Sequence, residues 1–340
     1  MFINNTFGID LGTGNIKISS LNKKKFINEK NMVAVKDASE VIAIGDMAYT
    51  MYEKAPTNII VDCPMVNGVV GHINNTELLL YGLLKKISPF RTKHSHFFIV
   101  VPTDITEVQK RAFFAVVKGA VLKAKKVLIV EKAIADAVYL GVDFSTDKGT
   151  MIVNIGAETT ELAILAAGRV IISKTLYIGG NILDEAICTL VRRRYNLNIG
   201  MKTAAILKNE LSYVCAGEPK KLTISGVNNV SGLPRTADIS SAVVNEAILE
   251  GLDLIIDSIN SLIERTPPEL IKDIVETGIY LTGGVANIKN LSNYIRLELR
   301  ISINLADNPS ESTIEGLTQI MSNKELRKLA YSIHDMPSKI

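Results

Sequence analysis

Alternating apolar and polar positions near the start of the chain predict a β-hairpin. In residues 7–18, two β-type runs flank a turn that Gly12 leads. Because glycine has no Cβ, it reaches positive φ and leaves the backbone N–H groups of such a turn accessible. The pattern returns in altered form at residues 151–164, where Gly156 leads the turn. The sequence therefore predicts two similar hairpins in one chain.

Between and after the hairpins, helical and strand-like runs alternate. Helical spacing places apolar residues at every third or fourth position, and a short apolar run between turn residues indicates a buried strand. Thr106 and Gln109 have the form of a capping box at a helix start. Such alternation predicts a largely parallel sheet. Helices are predicted at 47–54, 77–87, 107–120, 132–140, 182–195, 202–213, 241–264, 269–276 and 323–332, and strands at 97–101, 127–130, 221–227 and 279–282.

Composition and charge are those of an ordinary globular protein. The chain has 340 residues, 47% of them hydrophobic, enough for roughly two domains. A net charge of +3 is too small to indicate binding to nucleic acid, and no such partner is expected. Cys63, Cys188 and Cys215 match no zinc or redox spacing, and we expect buried thiols in a reducing cytoplasm. No apolar run reaches the ~18 residues of a spanning helix and no cleavable leader is seen. We therefore expect a protein that is neither secreted nor membrane-spanning.

The glycine turns are suited to binding phosphate. Several backbone N–H groups in one turn form a concave anion site, and two such turns can clamp the phosphates of a nucleotide. Asp10, at the end of its strand, can hold a hydrated Mg²⁺ ion, which prefers one or two carboxylates together with waters and phosphate oxygens. A Walker loop is excluded because each turn leads into another strand rather than a helix. One such turn alone indicates only a hairpin, so the inference depends on the repeat.

Longer motifs give a resemblance to a known family. A third glycine turn, Gly283 and Gly284, follows the predicted strand at 279–282. With it, the chain resembles the actin, Hsp70 and sugar-kinase superfamily, and within it the MreB family of bacterial actins. The resemblance spans nearly the whole chain and is carried by residues 8–13, 44–46 with 64–69, 102–111, 265–270 and 278–284.

This resemblance implies an α/β protein with an actin-like ATPase fold, in which two lobes, each with a small subdomain, surround a central nucleotide cleft. It implies binding of ATP or ADP with Mg²⁺ and self-assembly into paired protofilaments, and it leaves co-assembly with paralogous actins open. Such filaments are cytoplasmic, lie on the inner membrane face and govern cell shape. The expected boundaries are subdomain IA at 1–30, 64–143 and 313–340, IB at 31–63, IIA at 144–179 and 244–312, and IIB at 180–243.

The same resemblance assigns site residues one by one. Asp10 is expected at the metal, and Thr159 is expected to orient the water that attacks the γ-phosphate. Lys208 and Ser212, one turn apart on a predicted helix, would contact the nucleoside, whereas without the resemblance Lys208 would be expected on the solvated surface. The expected nucleotide-binding residues are then Gly12, Thr13, Gly14, Asn15, Gly156, Ala157, Thr159, Lys208, Ser212, Gly283 and Gly284.

Three positions depart from the family pattern at the hydrolysis site. Lys132 stands where relatives carry the catalytic Glu, and a protonated ammonium cannot accept a proton from water. Asn154 replaces an Asp and removes a negative charge near the metal, whereas Glu158 replaces a glycine and adds one near the γ-phosphate. We therefore expect weak or absent ATP hydrolysis. Lys132 and Glu158 are expected to form an ion pair; the alternative is that each turns to solvent.

A surface loop is the candidate membrane contact. The family docks on membranes through an amphipathic N-terminus or an apolar loop. The corresponding loop here, 88–93, has Pro89 and Phe90 at an apolar tip flanked by cations. Residues 1–3 would add a second weak contact. Because single exposed hydrophobic residues are normal on protein surfaces, a plain turn is the alternative.

Three functions fit the sequence. The first is a nucleotide-binding, filament-forming bacterial actin of the cytoskeleton, at most a slow ATPase that converts ATP to ADP and phosphate. The second is a fully active polymerising ATPase in which another acid, such as Glu131, replaces the missing one. The third, a chaperone or sugar kinase, is disfavoured because no peptide-binding domain or sugar-binding insertion is seen.

Overall fold

The chain folds into two compact units. Its structure is a computed structural model that describes residues 5–37, 39–89, 92–119, 121–215 and 217–333. Unit 1 contains Met1–Asp147, Ala166–Ser173 and Glu311–Ile340, and unit 2 contains Lys148–Leu165 and Lys174–Ser310. The four subdomain boundaries expected from the sequence stay a prediction.

Strands and helices of the described residues are numbered in chain order. The strands are β1 Thr6–Leu11, β2 Asn15–Ser20, β3 Lys25–Lys30, β4 Val33–Lys36, β5 Glu40–Ile44, β6 Ile59–Asp62, β7 Met65–Val66, β8 Val69–Val70, β9 His96–Val101, β10 Lys126–Glu131, β11 Thr150–Ile155, β12 Thr160–Ala166, β13 Arg169–Leu176, β14 Leu197–Asn198, β15 Lys221–Asn228, β16 Pro234–Ser240, β17 Ile279–Thr282 and β18 Ile303–Leu305. The α-helices are α1 Asp46–Met51, α2 Ile73–Ile87, α3 Glu107–Lys118, α4 Lys132–Tyr139, α5 Gly180–Tyr195, α6 Met201–Leu211, α7 Ser241–Ile263, α8 Pro268–Thr277, α9 Leu291–Leu299 and α10 Ser312–Ser322.

Unit 1 is built on a five-stranded mixed sheet with the strand order β10-β9-β1-β2-β3. Strands β10, β9 and β1 are parallel, whereas β1, β2 and β3 pair antiparallel. The expectation of a largely parallel sheet is therefore wrong for half of these pairings, because the first hairpin places its own return strand beside β1. The hairpin itself is confirmed, with Asp10 opposite Lys17 and Leu11 opposite Ile16.

One face of this sheet carries the main apolar core of unit 1. Because successive side chains of a strand point to opposite faces, Phe7 and Ile9 of β1 enter the core together with Phe97 of β9. The rings of Phe7 and Phe97 stack with centroids 5.7 Å apart. Buried residues of α2 and α3 complete this core. The predicted capping box of α3 is confirmed, since Thr106 and Gln109 exchange side-chain to backbone hydrogen bonds.

Helices α4 and α10 pack closely against each other in unit 1. A Cβ built on Gly316 of α10 would lie 1.8 Å from the carbonyl oxygen of Ala135 in α4, so only glycine fits at this crossing. The carboxylate of Asp136, fully buried, accepts hydrogen bonds from the hydroxyls of Ser312 (2.9 Å) and Thr313 (2.7 Å) at the start of α10. These contacts replace water around a buried charge.

Two smaller sheets also belong to unit 1. Strands β5, β4 and β6 form a three-stranded antiparallel sheet in that order, and β7 pairs with β8.

Unit 2 repeats the mixed-sheet plan. Its large sheet has the order β13-β12-β11-β17-β18, with β11 and β12 forming the second predicted hairpin. Strands β11, β17 and β18 are parallel. Helix α7 packs against α5 and α9, and a small antiparallel sheet forms in the order β14-β15-β16.

Two further expectations are wrong, and two helices were missed. Instead of a helix, the segment 323–332 contains a 3₁₀ turn at Leu326–Leu329, after which Tyr331 pairs antiparallel with Ile129. The thiols are not buried: Cys63 and Cys188 are half-buried and Cys215 is exposed. Helices α9 and α10 were not predicted. Within the described ranges, no helix is both long and apolar enough to cross a membrane.

Candidate functional site

The first glycine turn is held from behind through its carbonyl groups. The side-chain amide of Asn31, a fully buried residue, donates to the Gly12 carbonyl over 2.8 Å, and its backbone N–H donates to the Gly14 carbonyl over 3.2 Å. The thiol of Cys63 lies 3.3 Å from the Thr13 carbonyl oxygen. These contacts fix the peptide groups of the turn with their carbonyl oxygens directed at the protein.

The N–H groups of this turn remain available for a ligand. The described residues offer no hydrogen-bond acceptor to the N–H groups of Thr13 and Gly14. Thr13 and Gly14 are half-buried, so these N–H groups are accessible to an anion. Asn15 is held at its side chain by Asn28 (2.6 Å) and Lys30 (3.2 Å).

Asp10, the expected metal residue, is buried and already paired with a cation. Its Oδ2 lies 3.2 Å from the Lys17 Nζ, and the two side chains are only 6% and 14% exposed. Lys17 was not predicted from the sequence. The signal was present, because pairing the two strands of the hairpin outward from its turn places Lys17 opposite Asp10. The acid nearest the first turn therefore carries its own counter-charge.

Lys132 lies at the same edge of the sheet as the first turn. Asp10 of β1 and Val130 of β10 both pair with Val100 of β9, so they are two strands apart, roughly 10 Å. Lys132 follows directly as the first residue of α4 and is half-buried. An ammonium at the positive end of a helix is electrostatically unfavourable by itself, so this position favours an anionic partner.

Glu131, the alternative acid, is engaged in contacts of its own. Its Oε1 lies 3.6 Å from the Lys110 Nζ and 3.5 Å from the Tyr331 hydroxyl. Burial, and then the charge of Glu131, raise the pKa of the Tyr331 phenol. A carboxylate held by a lysine and a tyrosine is a poor base for water.

The second glycine turn is fixed in the same way in unit 2. The N–H groups of Gly180 and Asn181, the first residues of α5, donate to the carbonyls of Gly156 (3.0 Å) and Ala157 (2.7 Å). A Cβ on Gly179 would lie 2.7 Å from the Gly156 carbonyl oxygen, so glycine is required for this approach. Thr159 is buried, and no partner for its hydroxyl is found among the described residues.

The third glycine turn adjoins the second. Thr282 of β17 pairs with Asn154 of β11, and Gly283 follows with φ of 90°. A Cβ on Gly283 would lie 2.3 Å from the Ile155 carbonyl oxygen, whereas one on Gly284 would meet nothing within 4 Å. Gly283 is thus required by packing, and Gly284 borders open space.

Lys208 is buried rather than solvated, which corrects the alternative expectation. Its Nζ lies 2.8 Å from Asp184 Oδ1 and donates to the Gly180 carbonyl over 2.6 Å. Ser212 is buried at the end of α6, where its N–H donates to the Lys208 carbonyl. Lys208 therefore lies beside the second turn through Gly180. Asp184 was not predicted from the sequence.

The donor set fits phosphate better than it fits a divalent cation. Asp10 is neutralised by Lys17, and in the second hairpin the amide residue Asn154 lies opposite Glu161, a buried acid that sequence reasoning missed. No cluster of three or more metal-binding side chains occurs in the part of the chain that the structure describes. Mg²⁺ would thus depend on Asp10 together with phosphate oxygens and water.

Some predicted positions cannot be placed together. Glu158 is half-buried on the second turn of unit 2, while Lys132 belongs to unit 1, and their ion pair stays a prediction. In the candidate membrane loop, Pro89 is exposed, whereas Phe90 lies outside the described residues, as do residues 1–3.

Comparison with known proteins agrees with this architecture. The fold is similar to that of "MreB 5 of Spiroplasma citri bound to AMPPNP", with a TM-score of 0.91 and 30% identity over 96% of this chain and 98% of that one. The "MamK double helical filament" matches with a TM-score of 0.78 and 21% identity, covering 94% and 99%. The α/β fold with two glycine turns is therefore an actin-like fold.

Sequence comparison gives the family. The profile described as "MreB/Mbl protein" matches residues 4–329. The chain is 32% identical over 323 residues to the "Cell shape-determining protein Mbl" of Bacillus subtilis (strain 168), covering 94% of this chain and 96% of that protein. It is 33% identical over 320 residues to the "Cell shape-determining protein MreB" of Escherichia coli (strain K12), with 92% of each covered. The chain belongs to the MreB/Mbl family.

Proposed function

We propose that this chain is an adenine-nucleotide-binding actin of the cytoplasm that self-assembles into filaments and takes part in cell shape, with slow or absent ATP hydrolysis. Its relatives include proteins named for determining cell shape, a structure with bound AMPPNP, and a filament. Pairing of the protofilaments, co-assembly with paralogous actins and peripheral membrane contact through loop 88–93 belong to the same proposal and stay predictions.

The nucleotide part of the proposal depends on the two turns. In unit 1, the N–H groups of Thr13 and Gly14 have no acceptor among the described residues. In unit 2, considered by itself, the turn at 156–159 has Lys208, the expected nucleoside contact, beside it through Gly180. Backbone amides of such turns bind phosphate in proteins. Gly284, which borders open space, suits the approach of an adenine ring.

The hydrolysis part of the proposal depends on one observation, the presence of Lys132 at the start of α4. Attack on the γ-phosphate needs a group that orients and deprotonates water. Thr159 supplies a hydroxyl for orientation, but Lys132 cannot act as a base while it is protonated. The neighbouring Glu131 is held by Lys110 and Tyr331, which argues against the fully active alternative.

Sedimentation and phosphate release test the proposal together. The full chain is incubated with ADP, ATP or AMPPNP and pelleted, and phosphate is measured in the same samples. We expect filaments in the pellet with little phosphate released. Filaments with nucleotide-dependent release would support the active ATPase instead. A chain that neither binds nucleotide nor pellets would refute the proposed function.

A further inference from the structure

The contact between Lys17 and Asp10 places a cation next to the first glycine turn. Asp10 is the next-to-last residue of β1 and Lys17 the third residue of β2, and the two are direct partners in the hairpin. Their charged atoms are 3.2 Å apart, and both side chains are largely withdrawn from water. A weakly hydrated pair of this kind is not exchanged freely for solvent contacts.

The pair changes what a divalent cation finds at this turn. Asp10 is the acid that the family resemblance assigns to the metal, and Lys17 already satisfies one of its oxygens. A divalent ion bound to the same carboxylate would lie close to the ammonium, and like charges at such distances repel. On the second hairpin, the corresponding position is the uncharged Asn154. Glu161 lies opposite Asn154 there, so the reduced negative charge concerns the first hairpin, where Lys17 neutralises Asp10.

The same lysine is suited to bind phosphate. The glycine turn begins two residues after Asp10, and Lys17 follows that turn by two residues. A lysine ammonium is a compact charge on a flexible stem, so a small rotation keeps the contact with Asp10 or exchanges it for a phosphate oxygen. A second ammonium, Lys30, already lies 3.2 Å from Asn15 Oδ1 of this turn. Two lysines of the chain, Lys17 and Lys30, therefore lie near this turn.

We propose that Lys17 is a built-in counter-ion for the nucleotide phosphates, which makes nucleotide binding by this chain largely independent of Mg²⁺. The inference rests on the proposed function, since it concerns the same phosphate turn. Lys17 supplies the positive charge that the metal would supply elsewhere, and Asp10 holds that charge in place when no nucleotide is bound.

The test is the dissociation constant of ADP, measured by calorimetry in excess Mg²⁺ and again in EDTA. For the unmodified chain, we expect the two dissociation constants to agree within about threefold. This difference is smaller than the roughly tenfold change in affinity that the loss of one charge-assisted hydrogen bond causes. Lys17→Met is expected to weaken binding in EDTA by about 10- to 100-fold, the amount lost with one charge-assisted contact. Excess Mg²⁺ should then restore much of that affinity, because Asp10 is freed for the metal.

Two variants separate the role of Lys17 from general effects. Lys25→Met removes an exposed lysine from β3 of the same sheet and should leave both constants unchanged. Lys17→Arg retains the charge and should preserve binding in EDTA. Circular dichroism of each variant confirms that it is folded.

The outcomes distinguish a failure of this inference from a failure of the proposed function. If the unmodified chain binds ADP only when Mg²⁺ is present, the inference is overturned while nucleotide binding stands. If Lys17→Met binds equally well in EDTA and is folded, Lys17 is not the counter-ion. If no form of the chain binds ADP under either condition, the proposed function itself is refuted.

Discussion

Lys208 Nζ lies 2.8 Å from Asp184 Oδ1, and the two side chains are only 10% and 7% exposed. This buried ion pair joins α5 to α6 beside the second phosphate turn, because Lys208 also donates to the Gly180 carbonyl. The lysine can therefore be a structural residue, a nucleoside contact, or both, and two substitutions separate these roles.

Lys208→Met should destabilise the chain and weaken ADP binding. Removing one partner of a buried pair leaves the other charge without compensation, which costs about 3–5 kcal/mol in the free energy of unfolding. In the double variant with Asp184→Asn, no buried charge is left alone, so most of the stability should return. The affinity for ADP should stay low if Lys208 contacts the nucleoside.

Urea unfolding and ADP calorimetry are the measurements for this pair. Glu210→Gln, which removes an exposed charge from the same helix α6, is the matched control and should change neither quantity. Recovery of both stability and affinity in the double variant would show that Lys208 is only structural.

The second prediction concerns hydrolysis and changes Lys132 and Glu158 together. Lys132→Glu combined with Glu158→Gly should raise steady-state phosphate release by at least about tenfold, since a positioned base contributes 10²–10⁴-fold in typical enzymes. Either single change should give less, because it leaves one unusual charge at the site. Lys126→Glu, at an exposed position of β10, is the control for the charge change of Lys132→Glu. No gain from the double change would eliminate the ion-pair hypothesis.

Glu131 provides a third prediction that tests the active-ATPase alternative. Because its carboxylate is held by Lys110 and Tyr331, Glu131→Gln should leave phosphate release within about twofold of the unmodified chain, far from the loss expected for a general base. Release is measured at saturating ATP, with ADP affinity as the check on binding. A loss of tenfold or more with unchanged ADP affinity would identify Glu131 as the missing acid.

The sequence was most informative where structure is local. The two hairpins follow from glycine and alternation within about a dozen residues, and the start of α3 follows from Thr106 and Gln109 alone. Helix α9 was missed because its N-cap, Asn290, makes no side-chain capping bond, and Glu311 before α10 makes none either. Asn290 is a residue type that often precedes a helix, but one such residue without a capping box is a weak signal, and Glu311 is not a preferred N-cap type.

Contacts between distant segments could not be predicted in the same way. Asp184 and Lys208 are 24 positions apart on different helices. Tyr331 pairs with Ile129, which lies much earlier in the sequence. The basic run before Tyr331 favoured a helix by composition, but a short isolated helix is marginal in water, and the edge of β10 offers backbone partners. The Asp10–Lys17 pair is an intermediate case, since it follows from the hairpin register once the turn length is known.

Tyr331 gives a fourth prediction, on alkaline stability. Burial and then the charges of Glu131 and Glu107 raise the pKa of its phenol above the ordinary value of 10.0. Above pH 10 the unfolded chain therefore loses this proton while the folded chain keeps it, so the free energy of unfolding falls as pH rises. Below pH 10 the contribution of this group is constant.

The comparison of the unmodified chain with Tyr331→Phe isolates this contribution. Urea unfolding between pH 8 and pH 11 should show a shallower alkaline decline in the variant, because phenylalanine has no proton to lose. Tyr294, whose pKa is also raised, by burial and by its hydrogen bond to Asp253, remains in both proteins and cancels in the difference. Equal alkaline slopes would mean that Tyr331 is not held against Glu131 in solution.

Gly316 provides the last prediction, on the packing of α10 against α4. An alanine there would place its Cβ 1.8 Å from the Ala135 carbonyl oxygen, a backbone atom that cannot move without shifting α4. Alanine normally favours a helix over glycine by about 1 kcal/mol, but the overlap should outweigh this gain, with a net loss of about 3 kcal/mol. The matched control is Gly251→Ala in α7, where the nearest atom, 2.6 Å away, is the end of the Leu183 side chain. A leucine side chain can rotate aside, so Gly251→Ala should be near neutral in urea unfolding, and equal effects of the two substitutions would contradict the backbone contact at Gly316.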